Sequence, residues 1–492
     1  MVRNAQSGIP CEVPFYGNGR KKIMHKKVNF LDDILMGDEA ETTFISGIFS
    51  PEEQKIKAKE ANLVQLWKIH NYIDVPTLIS YKFFNEVKYE SDSQSLGIYL
   101  HRILQYNFTD FFIKQKGYEI VDEFSITENN IAVAIRETIK SSPDEIFRAY
   151  SNAYILLHNK ETGHKAIVIV QVQEYDNSAW YNVMRTSEDN LLYEWIEYSK
   201  KNNFYNGKKI SADYDFLSID NHITWDSVVI PEKTRRTIKN SVDGLLSVRE
   251  ILNENGISIK RGIIISGSPG IGKTLICKIL AKEIDISVIY VLPSHIRNIK
   301  DISRICDMAQ DIAPTLLIFE DIDYLAENRE DYNGNGGLVI ELMNRLDGVE
   351  NFDNVITIAT TNMIEKVENA IKNRPGRFDQ VITLGKPDKQ CRKKMIELFA
   401  SKVKLGKDVD IDDLAIKTDK MSGAYISYII EAAAVEAACD GNYNRKNKKI
   451  TILQKHIELV LQELHDKDLS SFPEELGSSR IVGFGSKNNA EL

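Results

Sequence analysis

The rhythm of apolar and polar positions changes near residue 222. Upstream, Ala149-Tyr-Ser-Asn-Ala-Tyr-Ile-Leu-Leu157 and His164-Lys-Ala-Ile-Val-Ile-Val-Gln-Val-Gln173 read as strands, with a turn signal, Asn159-Lys-Glu-Thr-Gly163, between them. From Ser187 to Ser199 apolar residues fall at 191, 192, 195 and 196, the spacing of an amphipathic helix. Ser50-Pro51-Glu-Glu predicts a capped helix start for a segment reaching Trp67. Downstream, short apolar runs alternate with helical ones. Strands are predicted at 261–266, 287–292, 315–319 and 354–359, with helices at 274–283 and 301–312. That alternation predicts a parallel α/β sheet. After residue 390 the pattern is helical, and 470–492 is a Ser/Gly/Asn-rich tail.

These patterns divide the chain into an arm (1–40), an α+β region (41–220), an α/β region (222–390), a helical region (391–466) and a tail (467–492). All four Trp lie at or before residue 225, which suggests that the first half has a core of its own. The arm carries six basic residues against one acidic residue over 1–27, the composition of a solvated segment or of a contact for an acidic partner.

Composition narrows the function classes. The 492 residues carry a formal charge of −9, so no general positive field attracts phosphate backbones, and a protein that coats duplex DNA is disfavoured. The five Cys, at 11, 277, 306, 391 and 439, form no C-x-x-C pair, which argues against a zinc or dithiol motif. No apolar run reaches the ~18 residues of a membrane span. The start, Met1-Val-Arg-Asn, lacks a signal peptide's apolar stretch. The expectation is a soluble cytoplasmic protein.

Chemistry concentrates after residue 260. Gly267-Ser268-Pro269-Gly270-Ile271-Gly272-Lys273-Thr274 matches G-x-x-x-x-G-K-[ST] between a predicted strand and a predicted helix, and Leu275 follows it. Glycines let the backbone N–H groups turn inward on phosphates, and the helix N-terminus adds its dipole. Lys273 brings a charge to the β- and γ-phosphates, and the Thr274 hydroxyl can join a Mg²⁺ shell. Glu320 and Asp321 close the strand 315–319. One such carboxylate can hold Mg²⁺, partly through water, and the other can orient or deprotonate an attacking water. Asn362 ends the next strand, where its amide can meet a γ-phosphate or that water. Arg374 and Arg377 flank a Pro-Gly turn and can present guanidinium groups to a transferring phosphoryl.

In order and spacing these motifs resemble the AAA+ ATPases, specifically the AAA branch, over about 222–465. The resemblance implies a P-loop parallel-sheet core with a small C-terminal helical lid, preceded here by a separate α+β domain. It implies that the segment Ile223–Val229, including Val228, abuts adenine, and that Gly423 and Ala424 lie near adenine and ribose. It implies a homo-oligomeric ring, commonly a hexamer, with ATP and Mg²⁺ between neighbours. Lys273, Thr274, Glu320, Asp321 and Asn362 would act in cis, and Arg374 and Arg377 on the adjacent subunit's nucleotide.

Three departures from the family pattern stand out. The family usually ends its Walker B strand Asp-Glu; this chain writes Glu320-Asp321, an order similar to that of the mitochondrial translocase of the Rieske iron–sulfur subunit. The segment 293–302 lacks the aromatic residue with which threading unfoldases grip a chain. One extra residue separates Asn362 from Arg374. The expected function is ATP-driven remodelling of a protein partner recruited by residues 1–220. A nucleotide-controlled assembly switch and a nucleic-acid-associated motor, the latter relying on Arg297 and Lys300, are the alternatives.

Overall fold

The computed structural model describes residues 83–84, 89–126, 131–173, 175, 177–256, 260–327, 338, 341–342, 345, 354–365, 367, 378, 380–444 and 449–466. The basic arm, the helix expected from Ser50 to Trp67 and the tail lie outside these residues.

The first half builds an antiparallel sheet from β1 (Glu90–Gly97), β2 (Glu119–Ile126), β3 (Ile131–Val133), β4 (Ile135–Lys140), β5 (Ile146–His158), β6 (Lys165–Gln173) and β7 (Ser178–Arg185). The order is β1-β7-β6-β5-β2-β3, with β4 also on β5. The expected hairpin is β5–β6. Asn159 Oδ1 accepts from the backbone N–H groups of Glu161 and Thr162 at 2.9 and 3.0 Å, and Gly163 takes a positive φ to close the turn.

Strand alternation gives this sheet two apolar faces. Ile155, Leu157, Val168 and Val170 face one cluster, together with helices α1 (Ile98–Phe108) and α2 (Leu191–Lys201). Tyr154, Leu156, Ile167 and Ile169 face another, against Phe83, Phe84 and Phe124. Helix α2 starts later than the spacing suggested because Asn190 caps it, accepting from Tyr193 N at 3.2 Å.

The second sheet is parallel throughout, ordered β13-β9-β12-β11-β10-β8. Its strands are β8 (Lys209–Ser211), β9 (Lys260–Ser266), β10 (Ser287–Val291), β11 (Thr315–Phe319), β12 (Val355–Thr361) and β13 (Gln380–Thr383). Every residue of β10, β11 and β12 is buried, as expected for strands covered on both faces. Val288, Tyr290, Leu316 and Ile318 pack toward α4 (Lys273–Glu283), and α3 (Glu232–Lys239) adds Ile238 to that cluster. Ile289, Val291, Leu317 and Phe319 pack with the buried residues of α5 (Ile299–Asp311).

Strand β8 has no counterpart in the sequence reading: three residues are too few for periodicity to register. The segment around it also joins the two halves. Tyr99, Tyr205, Ile210, Ala212 and Tyr214 run without a break from the first sheet's core into the second. Tyr214 meets two cations, Arg102 at 4.9 Å and Arg304 at 5.2 Å from its ring centre, and Arg304 donates to its hydroxyl at 2.6 Å. Trp195 belongs to this continuous core, whereas Trp225 packs in the second sheet's other cluster and donates to Glu283 at 2.7 Å.

Helices α6 (Lys389–Ala400), α7 (Ile411–Lys417), α8 (Gly423–Cys439) and α9 (Gln454–Asp466) form the C-terminal cluster. A three-stranded sheet of Lys404–Leu405, Tyr443–Asn444 and Lys449–Ile452, not expected from the helical pattern, lies among them. No helix among the described residues is long and apolar enough to cross a membrane.

Candidate functional site

The site lies at the carboxyl ends of β9, β11 and β12, the crevice where open parallel sheets bind ligands. The loop from Gly267 to Gly272 leaves β9 and enters α4 at Lys273. Gly270 sits at φ 76°, and a Cβ there would lie 2.7 Å from Ala424 Cβ and 2.9 Å from Ser422 Oγ. The start of α8 is therefore seated on the loop, and Ala424 N donates to Gly270 O at 3.0 Å. Gly272, at φ 102°, faces Val228 across 3.1 Å from its would-be Cβ. Glycine is required at both places, by backbone conformation and by close approach. Val228, Gly423 and Ala424, far apart in sequence, thus meet at the loop.

Lys273 is 6% exposed. Its Nζ donates to Gly267 O at 2.6 Å, Ser268 O at 3.1 Å and Asn362 Oδ1 at 2.6 Å. The Asn362 Nδ2 donates to Asp321 Oδ1 at 3.3 Å, so one amide bridges the lysine and the carboxylate. Asn362 is itself anchored: its backbone N–H donates to Asp323 Oδ1 at 3.0 Å. Asp323 opens the short helix Asp323–Glu327 and is buried. The sequence carried this residue in Glu-Asp-Ile-Asp, but nothing in that tetrad assigns it to the strand that follows.

Asp321 adopts φ 46°, a left-handed conformation that Asp tolerates better than most residues, and its N–H is held by Thr360 Oγ1 at 2.9 Å. Burial, then the neighbouring Glu320 and Asp323, push its pKa above the ordinary carboxylate range, against the pull of Lys273 and Asn362. Burial lowers the pKa of Lys273, and the carboxylates of Asp321, Asp323 and Glu320 oppose that shift. Glu320 is 8% exposed and accepts from the Tyr290 hydroxyl at 2.5 Å. Burial, and then nearby Cys277 and Glu320, raise the phenol's pKa, so Tyr290 stays an O–H donor. Tyr290 also escapes sequence reading, since one Tyr in an apolar strand has no periodic signature.

Arg374 and Arg377 lie outside the described residues. Among the described residues, no group of three or more His, Cys, Asp and Glu side chains forms a metal cage. The oxygens of Thr274, Glu320 and Asp321 are the hard donors that suit Mg²⁺, which is usually held by one or two protein ligands plus phosphate and water. The glycine-lined loop, one buried lysine and crowded carboxylates fit a polyphosphate and its metal.

Comparison with known proteins agrees with this geometry. Residues 263–386 match the model of the ATPase family associated with various cellular activities (AAA). The chain is 31% identical over 223 residues to a cell division cycle protein 48 homolog of Archaeoglobus fulgidus, covering 44% of this chain and 30% of that protein. It is 32% identical over 217 residues to a 26S proteasome regulatory subunit 4 homolog of Saccharomyces cerevisiae, covering 42% and 49%. It is 30% identical over 263 residues to an ATP-dependent zinc metalloprotease FtsH of Marinobacter nauticus, covering 51% and 41%. The chain spans less than half the length of each of these three relatives. Within those bounds, residues 263–386, which hold the P-loop, are similar to the ATPase domains of the AAA family.

Proposed function

We propose that the chain is a cytoplasmic ATPase that hydrolyses Mg·ATP in a homo-oligomeric ring, most simply a hexamer, to remodel a protein partner recruited by residues 1–220. The observation that supports this reading is the Asn362 bridge, one amide hydrogen-bonded to both the Lys273 ammonium and the Asp321 carboxylate. In it, the loop N–H groups and Lys273 bind the phosphates. Thr274 and Glu320 are the residues that would hold Mg²⁺, partly through water. Mg²⁺, when bound, offsets phosphate and carboxylate charge. Asp321 orients the attacking water and takes its proton, and Asn362 keeps Asp321 and Lys273 in register. Val228, Gly423 and Ala424 flank adenine and ribose, so lid movement is coupled to nucleotide state through the Ala424–Gly270 contact.

Arg374 and Arg377 serve the neighbouring subunit's nucleotide. The Glu320-Asp321 order sets the chain beside the Rieske-protein translocase type within the family. The segment 293–302, without an aromatic grip, favours a partner moved by means other than hand-over-hand threading. The relatives' names support a protein as the partner, since they are a 26S proteasome regulatory subunit and an ATP-dependent zinc metalloprotease.

ATP turnover measured against protein concentration, for wild type and for Arg374→Ala with Arg377→Ala, tests the shared site. Specific activity rises with concentration, and the double variant binds ATP without turning it over. Concentration-independent activity, retained by the double variant, contradicts the ring mechanism.

A further inference from the structure

Strand β10 reads Ser-Val-Ile-Tyr-Val and is buried at every position, so its one phenol sits among aliphatic side chains. Tyr290 is 7% exposed and shares its face of the sheet with Val288, Leu316 and Ile318. A buried tyrosine hydroxyl needs a partner. Here it is Oε1 of Glu320, 2.5 Å away, across the β10–β11 ladder in which Glu320 N donates to Val291 O at 2.9 Å. A phenol donating to a carboxylate is a charge-assisted bond, stronger and more directional than a neutral one.

The bond answers a problem set by the residue order. Glutamate carries one more rotatable bond than aspartate, so a Glu at position 320 has more ways to miss a metal-bound water. The phenol engages Oε1, one of the two oxygens of that carboxylate.

We propose that Tyr290 is a positioning residue for the metal-side carboxylate: its hydroxyl holds Glu320 in the rotamer that meets the Mg²⁺ shell, which lets the Glu-Asp order work. The proposal rests on the reading of the site given under the proposed function. It concerns affinity for the metal-loaded nucleotide, and so it is measurable without turnover.

The test is the Kd of a fluorescent ATP analogue, in excess Mg²⁺ and in EDTA, for wild type, Tyr290→Phe, Glu320→Asp and the double variant, with Tm recorded for each. Mg²⁺ tightens binding by wild type. Tyr290→Phe keeps the wild-type Kd in EDTA but loses about tenfold of the Mg²⁺-dependent gain. The double variant loses no more than Glu320→Asp alone, because the shortened carboxylate no longer reaches the phenol. A purely structural tyrosine lowers Tm and leaves the Mg²⁺-dependent gain intact; that result overturns the proposal, as do losses that multiply in the double variant. Wild type that fails to bind the analogue at all overturns the nucleotide-site reading itself, and the proposal with it.

Discussion

On the face of the antiparallel sheet that carries α1, His101 lies between the Tyr181 hydroxyl at 2.7 Å and Glu137 at 2.9 Å. Gln105 links Tyr181 at 3.0 Å to the backbone of Tyr150 at 2.9 Å, and Arg136 meets both Glu123 oxygens and the Tyr150 hydroxyl at 2.7 Å. At the strand ends of the parallel sheet, three carboxylates instead crowd one buried lysine. The contrast shows in two acids. The bond from His101 pulls the pKa of Glu137 below its ordinary value, whereas burial and like charge push that of Asp321 above it. A polar network that satisfies its members holds a fold together. One whose charges repel is stable only because the rest of the domain holds it, and it is relieved by a ligand that brings the missing charges.

Substitutions can break that comparison at either end. The largest effect falls on Lys273→Ala, which removes the cation facing the phosphates: nucleotide affinity drops about a hundredfold, read by equilibrium binding, and turnover is lost. Asn362→Ala comes next. It cuts the bridge without removing a charge, so kcat falls about a hundredfold while the Kd for nucleotide changes little. A parallel loss in both would show that Asn362 acts in binding rather than in placing the water. The smallest functional effect belongs to the other sheet. Gln105→Leu strands the Tyr150 N–H and costs about 1–3 kcal/mol in denaturant unfolding, with nucleotide binding unchanged. A shift in nucleotide affinity there would mean that the continuous core around Tyr99, Tyr205 and Tyr214 passes strain to the P-loop.

The parallel core was legible in the sequence because its strands are unbroken apolar runs and its glycine loop has a fixed spacing. The β5–β6 hairpin was legible because Asn159 and Gly163 are turn residues for stated physical reasons. What could not be read depends on distance in sequence. Strand β8 is three residues that pair with β10 almost eighty positions later. Asp323 matters through a backbone N–H on another strand, and Tyr290 through a carboxylate thirty residues away. Neither periodicity nor motif spacing carries such cross-strand partners. The meeting of Val228, Gly423 and Ala424 at the loop was anticipated only through family resemblance, since no local pattern brings the start of α8 onto Gly270.

Thermal stability of wild type and Asp321→Asn, each with and without Mg²⁺ and a non-hydrolysable ATP analogue, tests the central claim most directly. A carboxylate whose folded pKa is raised costs stability at pH values above that pKa, and the cost fades as pH falls through it. At neutral pH without ligand, Asp321→Asn therefore melts about 2 °C above wild type, and the gap closes in acid. Mg²⁺ with the analogue raises wild type more than the variant, because the ligand relieves a repulsion the variant no longer has. Equal Tm values at neutral pH, or equal gains from the ligand, would contradict the account of this site as a charge cluster waiting for Mg·nucleotide.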